Sequence, residues 1–382
     1  MKILIIGPAY PLRGGLASFD ERLAKTYADA GHEVEILTFS LQYPGFLFPG
    51  KTQYSTEPPP PGLKINVALN SVNPFNWIKT GLHYKKKNFD IAIFRFWMPF
   101  MGPSMGTIAR IISSNDHTRI IAIADNVVPH EKRIGDLPFT KYFLRGCDGF
   151  IAMSKSVMKD LSKFAPGKPK TYCPHPMYDN FGEPLPKGTA LSNLGLSPSF
   201  KYLLFFGFIR KYKGLDLLLQ AFADERLRAL PLKLIIAGEY YEDPEPYRQM
   251  IRDLNLSEHV IEHTDFIPDS KVGNYFSAAD LVVQTYKSAT QSGVTQIAYY
   301  FNKPMLVTDV GGLAEMVPHG KVGYVVPPSP APVADAILDY FNNHRESEYA
   351  RNIGVEKLKF TWEALATHIK ELSDVENEGI TE

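Results

Sequence analysis

Residues 2–39 read KILIIGPAYPLRGGLASFDERLAKTYADAGHEVEILTF, and this stretch decides the fold. Residues 2–7 form a short apolar run stopped by Gly7 and Pro8, as expected of a strand buried on both faces. Over 16–30, Leu16, Phe19, Leu23, Tyr27 and Ala30 recur three or four apart, the spacing of one helix face, and Gly31 follows as a stop. Residues 32–39 then read as a second strand. Strand, glycine loop, helix and strand make a βαβ unit, which favours a parallel sheet with a right-handed crossover.

Further strands are expected at 91–96, 120–124 and 149–153, with a helix over 105–113. Residues 40–80, including the run Pro58-Pro59-Pro60-Pro61, read as irregular. Between 166 and 198 seven prolines break regular structure, and the interdomain linker is placed at 172–198. A second alternating series follows. Its strands are at 201–207, 233–238, 260–263, 281–284 and 305–308, and its helices at 215–222, 247–255, 271–278 and 291–300. Two such series predict an α/β protein of two doubly wound, Rossmann-like domains, 1–175 and 176–357. The last helix, from about 358 to the end, is expected to pack back on the first domain.

The bulk numbers agree with two domains, since the chain has 382 residues, 45% of them hydrophobic and 21% charged. Cys147 and Cys173 have neither disulfide-framework nor zinc spacing and read as buried thiols. Residues 1–10 lack the long apolar core of a secretory signal, and no run approaches a membrane span. A cytoplasmic protein, soluble or peripheral at the inner face of a membrane, is therefore expected. Net charge is zero, yet residues 1–185 hold 22 Lys and Arg against 15 Asp and Glu, and the remainder 19 against 26. A basic first half suits an anionic surface or substrate, or is an uneven spread of solvated charge. Tyr43 to Phe48, Trp77 and the run Tyr84-Lys85-Lys86-Lys87 mix aromatics with cations. They would rest on an anionic membrane, hold a lipid-linked glycan, or simply face solvent.

Four segments could carry chemistry. Gly14-Gly15, before the first helix, permits close backbone approach and points helix N–H groups at an anion, or is a bare turn. Gly207-Phe208-Ile209-Arg210-Lys211-Tyr212-Lys213-Gly214 puts three cations in four positions at the C-terminal end of a strand, where open α/β sheets bind ligands. Arg210 offers a fork and Lys213 a point charge for phosphate. Gln291-Ser292-Gly293-Val294-Thr295-Gln296 opens a helix with small polar residues, either a plain cap or a second anion contact. Asp125, Asn126 and His130 follow a first-domain strand and could orient a substrate or move a proton.

Across residues 1 to about 370 the chain resembles glycosyltransferase family 4. The resemblance rests on Gly14-Gly15, on Gly207 through Gly214, on Pro304-Met305-Leu306-Val307-Thr308-Asp309-Val310-Gly311-Gly312-Leu313-Ala314-Glu315, and on Phe360-Thr361-Trp362-Glu363. It implies a GT-B fold, with two Rossmann-like domains facing a central cleft. It further implies retaining transfer of a hexose-type sugar from a UDP- or GDP-sugar to a glycan or lipid-linked acceptor. On that analogy Arg210 and Lys213 clamp the diphosphate, aided by the helix starting near Gly293. Glu239, Phe266 and Ile267 lie near the nucleoside, Gln291 and Gln296 act as neutral hydrogen-bonders, and His130 stands near the sugar. The family's paired glutamates fall here on Ala289 and Ile297, and its arginine position after Gly207 holds Phe208.

There is no Asp-x-Asp, so no metal and no other cofactor is expected, and no nucleic-acid partner. Two other readings stay open: a nucleotide-sugar-binding protein without catalysis, and a nucleotide-sugar epimerase of the same fold. A dinucleotide dehydrogenase lacks its glycine fingerprint here.

Overall fold

The structure is a computed structural model describing residues 1–45, 52–128, 135–289 and 292–375. It folds as two compact units: residues 1–176 together with the chain from Phe360 onward, and residues 177–359.

The first unit runs β1 (Lys2–Ile6), α1 (Gly15–Asp29), β2 (Glu33–Leu41), β3 (Ile65–Asn70), α2 (Pro74–Lys85), β4 (Ile91–Phe96), α3 (Gly102–Ser113), β5 (Arg119–Ala124), α4 (Asp136–Arg145), β6 (Gly149–Ala152), α5 (Lys155–Phe164) and β7 (Lys170–Tyr172). All seven strands are parallel, in the order β3-β2-β1-β4-β5-β6-β7. The central strands are apolar along most of their length, Arg95 inside β4 being the exception, because a parallel sheet is covered on both faces. Leu4, Ile6, Phe94, Phe96 and Ala122 share one core with Met105, Ile108 and Phe143 from the helices. Cys147 and Cys173 are both buried, unpaired thiols.

The second unit runs α6 (Lys187–Asn193), β8 (Lys201–Phe206), α7 (Leu215–Phe222), α8 (Glu225–Arg228), β9 (Leu232–Ala237), α9 (Glu245–Asp253), β10 (Val260–His263), α10 (Asp269–Ala278), β11 (Leu281–Gln284), α11 (Gly293–Tyr300), β12 (Met305–Thr308), α12 (Leu313–Met316), β13 (Gly323–Val326), α13 (Pro330–Asn342) and α14 (Glu346–Glu356). Its six strands are again parallel, ordered β10-β9-β8-β11-β12-β13. Asp280, wholly buried, ties the start of this sheet together. One carboxylate oxygen accepts from Tyr202 N (2.7 Å), and the other takes Lys187 Nζ (2.5 Å). The chain then returns to the first unit as α15 (Trp362–Asp374), where the Trp362 ring stands edge-on to Phe19 of α1 at 4.8 Å.

Two expectations need correcting. Residues 40–80, read as irregular, hold β3 and the first half of α2. β3 pairs along one side only, so its residues Ile-Asn-Val-Ala-Leu-Asn are half exposed and show no apolar run. α2 begins at an Asn-Pro pair: Asn73 accepts from the N–H groups of Phe75 and Asn76, and Pro74 takes the first turn, where its missing N–H costs nothing. Nor do Trp77 and Tyr84 face outward. Trp77 packs on the core and donates Nε1–H to Asn70 O (2.7 Å), while Tyr84 is 1% exposed and donates to buried Glu35 (2.8 Å). Lys87 is likewise engaged, with Nζ 2.7 Å from Glu35 Oε1.

Candidate functional site

In each sheet the strand order reverses direction at one place, between β1 and β4 and between β8 and β11. Loops leaving the C-terminal ends of the strands diverge there and open a ligand crevice. In the second unit those loops are 207–214 after β8 and, among the described residues, 285–289 after β11.

The two loops are laced together. Thr285 Oγ1 donates to Gly214 O (2.8 Å), and Lys287 N donates to Tyr212 O (2.7 Å). Gly214 adopts φ +68°, and a Cβ there would sit 2.0 Å from Thr285 O, so only glycine allows this approach. Gly207 adopts φ +93°; a Cβ on it would lie 3.1 Å from Lys213 Nζ and 3.7 Å from Val294 Cγ2. The glycine after β8, the Lys213 amine and the first turn of α11 therefore converge on one spot.

Lys213 is 9% exposed. Its Nζ stands 5.7 Å from the centre of the Tyr286 ring, itself buried, and among the described residues it has neither an ion-pair nor a hydrogen-bond partner. Burial, and secondarily the nearby charge of Arg210, push the amine down to about 7. An enclosed cation without a counter-charge is costly, and such a site favours an arriving anion. Arg210 is exposed, its guanidinium 5.0 Å from the centre of the Tyr241 ring. Ser292 precedes α11 in extended conformation without a capping hydrogen bond from its side chain, and its Oγ lies 3.2 Å from Tyr286 Oη. The unpaired N–H groups of the helix start so reach the same region as Lys213.

The other second-unit candidates surround this centre unevenly. Glu239 follows β9, is buried, and accepts from Ile209 N through its backbone oxygen (2.8 Å). Phe266 and Ile267 are half-buried after β10; the Phe266 ring is stacked 6.1 Å from Phe208, which in turn lies 4.3 Å from Tyr241. This aromatic row ends at Arg210. Gln296 turns inward: it is fully buried, and its Nε2 meets Met316 Sδ at 3.9 Å. Ala289 and Ile297 are buried and apolar. Gln291 lies outside the described residues.

In the first unit Gly14 (φ +103°) precedes α1 and Gly15 opens it. Asp125, just past β5, is not a free group: Arg95 of β4 grips it, Nε to Oδ2 and Nη2 to Oδ1, both at 2.6 Å. The Arg95 guanidinium also lies 3.7 Å from the centre of the Phe19 ring. Asp20 of α1 is buried beside Gly7, and burial raises its carboxyl well above the usual range against the pull of Arg95. His175 is edge-on to Phe19 at 5.1 Å, and burial with the charge of Arg95 lowers it to about 3. Asn126 is half-buried, its Nδ2 3.5 Å from Trp97 O. His130 lies outside the described residues.

Sequence reasoning missed Tyr286, Tyr241 and the Arg95–Asp125 pair. Only the last has a signal, a lone arginine inside the apolar strand Ile-Ala-Ile-Phe-Arg-Phe.

Residues 200–343 match the family described as Glycosyl transferases group 1. The chain is 24% identical over 381 residues to D-inositol 3-phosphate glycosyltransferase 2 of Catenulispora acidiphila, covering 92% of this chain and 88% of that one. It is 24% identical over 376 residues to N-acetyl-alpha-D-glucosaminyl L-malate synthase of Bacillus anthracis, covering 93% and 91%. Among solved structures, sucrose-phosphate synthase of Thermosynechococcus elongatus superposes with a TM-score of 0.75 at 16% identity, over 97% of this chain and 98% of that one. HepE of Anabaena, solved with UDP-glucose, gives 0.73 at 18% identity, over 98% and 100%. The architecture is that of the GT-B glycosyltransferases.

Proposed function

From a glycosyltransferase of GT-B fold that carries a group 1 domain over residues 200–343, we infer retaining transfer of a hexose-type sugar from a UDP- or GDP-sugar to a glycan or lipid-linked acceptor. The observation that carries this reading is Lys213: a buried amine, without a counter-charge among the described residues, beside Gly207 and the start of α11. That is the chemistry a diphosphate needs. A solved relative in fold holds UDP-glucose, which is in keeping with such a donor.

The chemistry follows from where charge develops. As the bond from the sugar C1 to the diphosphate oxygen breaks, negative charge grows on the leaving phosphate. Lys213, Arg210 and the N–H groups at the head of α11 are fixed in advance to stabilise it, and such preorganised charge is usually the largest catalytic contribution. The acceptor hydroxyl attacks C1 on the face that the diphosphate leaves. Its proton passes to the departing phosphate oxygen, so no protein base is required. These cations do the work that a divalent metal does elsewhere, and the reaction proceeds without one. In this reading Glu239, Phe266 and Ile267 serve the nucleoside end. The first unit, with Gly14, Gly15, Asn126 and His130, serves sugar and acceptor, and contacts a membrane peripherally.

Thermal-shift screening against UDP-, GDP- and ADP-sugars tests the reading, because a ligand of the native state raises the melting point by mass action. One nucleotide class should stabilise the protein and lose that effect in Lys213→Ala. No shift with any of them would overturn the donor assignment.

A second reading is a nucleotide-sugar binder without catalysis, favoured by buried, apolar Ala289 and Ile297 where the resemblance places two glutamates. Donor binding by calorimetry with neither transfer nor hydrolysis would select it. An isomerised nucleotide sugar found by NMR would instead select an epimerase.

A further inference from the structure

Helix α2 buries one side and leaves the other unusually apolar. Gly81 packs against Ile111 of α3, where a Cβ would sit 2.9 Å from Ile111 Cβ, and Thr80 and Tyr84 are buried. On the opposite side stand Phe75, 85% exposed, with Ile78 and Leu82, all large hydrophobics in solvent. Their spacing of three and four residues puts them on one stripe. Exposed Lys79, His83 and Lys86 alternate with them, and α2 contains no acidic residue. Lys79 and Lys86 have no ion-pair partner among the described residues. Phe75 is not a fraying end: Asn73 Oδ1 accepts from its N–H at 3.0 Å, and Pro74 fixes the turn.

The same composition continues beyond α3. Arg110 of α3 donates to Tyr142 O of α4 (2.5 Å) and lies 3.9 Å over the Tyr142 ring, while Thr107 Oγ1 is 3.0 Å from Tyr142 Oη. α4 leaves Leu137, Phe139 and Tyr142 exposed, together with Lys141 and Arg145. Across α2, α3 and α4 the single acidic residue is Asp136. Single exposed hydrophobics are ordinary, but a stripe of them interleaved with cations and nearly free of acids is not.

We propose that the outer face of α2, extended by α4, is a docking surface for an anionic lipid bilayer. It deepens the proposed function, whose peripheral contact it rests on and gives a place. Phe75, Ile78 and Leu82 enter the boundary between headgroups and acyl chains, and Lys79, Lys86, Lys141 and Arg145 meet the phosphates. Charge complementarity selects this occupant. In a symmetric dimer built on the same face, the Lys79 and Lys86 amines of two copies would be brought together without counter-charges.

The test is co-sedimentation of the full chain with vesicles of phosphatidylcholine, alone or mixed equally with phosphatidylglycerol. Binding is expected to the mixed vesicles only, and it should weaken as salt rises. It should fall about tenfold or more in Phe75→Ser/Ile78→Ser/Leu82→Ser, and separately in Lys79→Glu/Lys86→Glu. Both variants should keep the wild-type circular dichroism and the donor-induced thermal shift. Equal binding to neutral vesicles, no binding at all, or full binding by both variants would overturn the surface. A dimer that the triple replacement dissolves would overturn it too and assign the face to a second copy. An absent thermal shift with intact vesicle binding would instead remove the donor reading and leave the surface standing.

Discussion

Arg95, near the end of β4, and Asp125, just past the end of neighbouring β5, meet through two parallel hydrogen bonds of 2.6 Å, with both side chains almost fully enclosed. Asp125 directly precedes Asn126, so the pair fixes the point at which the chain leaves β5. It also turns a carboxylate that sequence alone offers as a sugar contact into a structural anchor.

Removing one partner of such a pair strands the other as a buried charge. Asp125→Ala should therefore cost about 3–5 kcal/mol in the first unit's unfolding transition, measured by urea denaturation. Arg95→Met/Asp125→Leu should cost less than Asp125→Ala alone, because no ion is then left unpaired.

Lys213 links donor binding to protons. Burial, and then the charge of Arg210, push its amine down to about 7, against 10.5 for an ordinary lysine. The unfolded chain thus holds the proton over that window and the folded chain does not, so stability should rise as pH rises from about 7 towards 10. Lys213→Met should flatten this slope in thermal melts. Above neutrality, diphosphate binding should take up a proton, seen in calorimetry as a heat that varies with the buffer's ionisation enthalpy. A buffer-independent heat would count against an ammonium–phosphate contact.

His175 works in the opposite pH range. Held neutral down to about 3, it must gain a proton that the unfolded chain already accepts near 6.5. Stability should therefore fall as pH drops from about 6.5 towards 3. His175→Leu should show a shallower acid limb in denaturation curves taken across that range.

Arg210→Ala should slow transfer by about 2–4 kcal/mol of transition-state stabilisation while leaving the fold intact, since Arg210 is exposed. Lys213→Ala should lose more. Unchanged turnover in purified Arg210→Ala would remove its role.

Transfer should persist at full rate in EDTA. Strict dependence on an added divalent cation would contradict a mechanism that gives the leaving group's charge to Arg210, Lys213 and the head of α11.

What was legible in the sequence is what local order writes. The apolar run at 201–206, the glycines at 207 and 214 and the cations between them mark a strand end facing an anion site, and they lie where the two loops meet. What was not legible depends on pairing across the fold. Arg210, Lys211 and Lys213 look alike in sequence, and only the packing of Tyr286 and Val294 makes Lys213 the enclosed one. Arg95 and Asp125 are thirty residues apart and meet because β4 and β5 are neighbours. Residues 65–85 escaped because an edge strand shows no apolar run and an Asn-Pro helix start imitates a loop.

The contact between Phe19 and Trp362 has a consequence for biosynthesis. A ribosome makes Trp362 after Phe19 and after every residue of the intervening unit. The earliest-made half must therefore wait, with one flank of α1 uncovered, while the later-made half can already fold. Truncation before Phe360 would thus injure the unit built on residues 1–176, although none of those residues had been deleted.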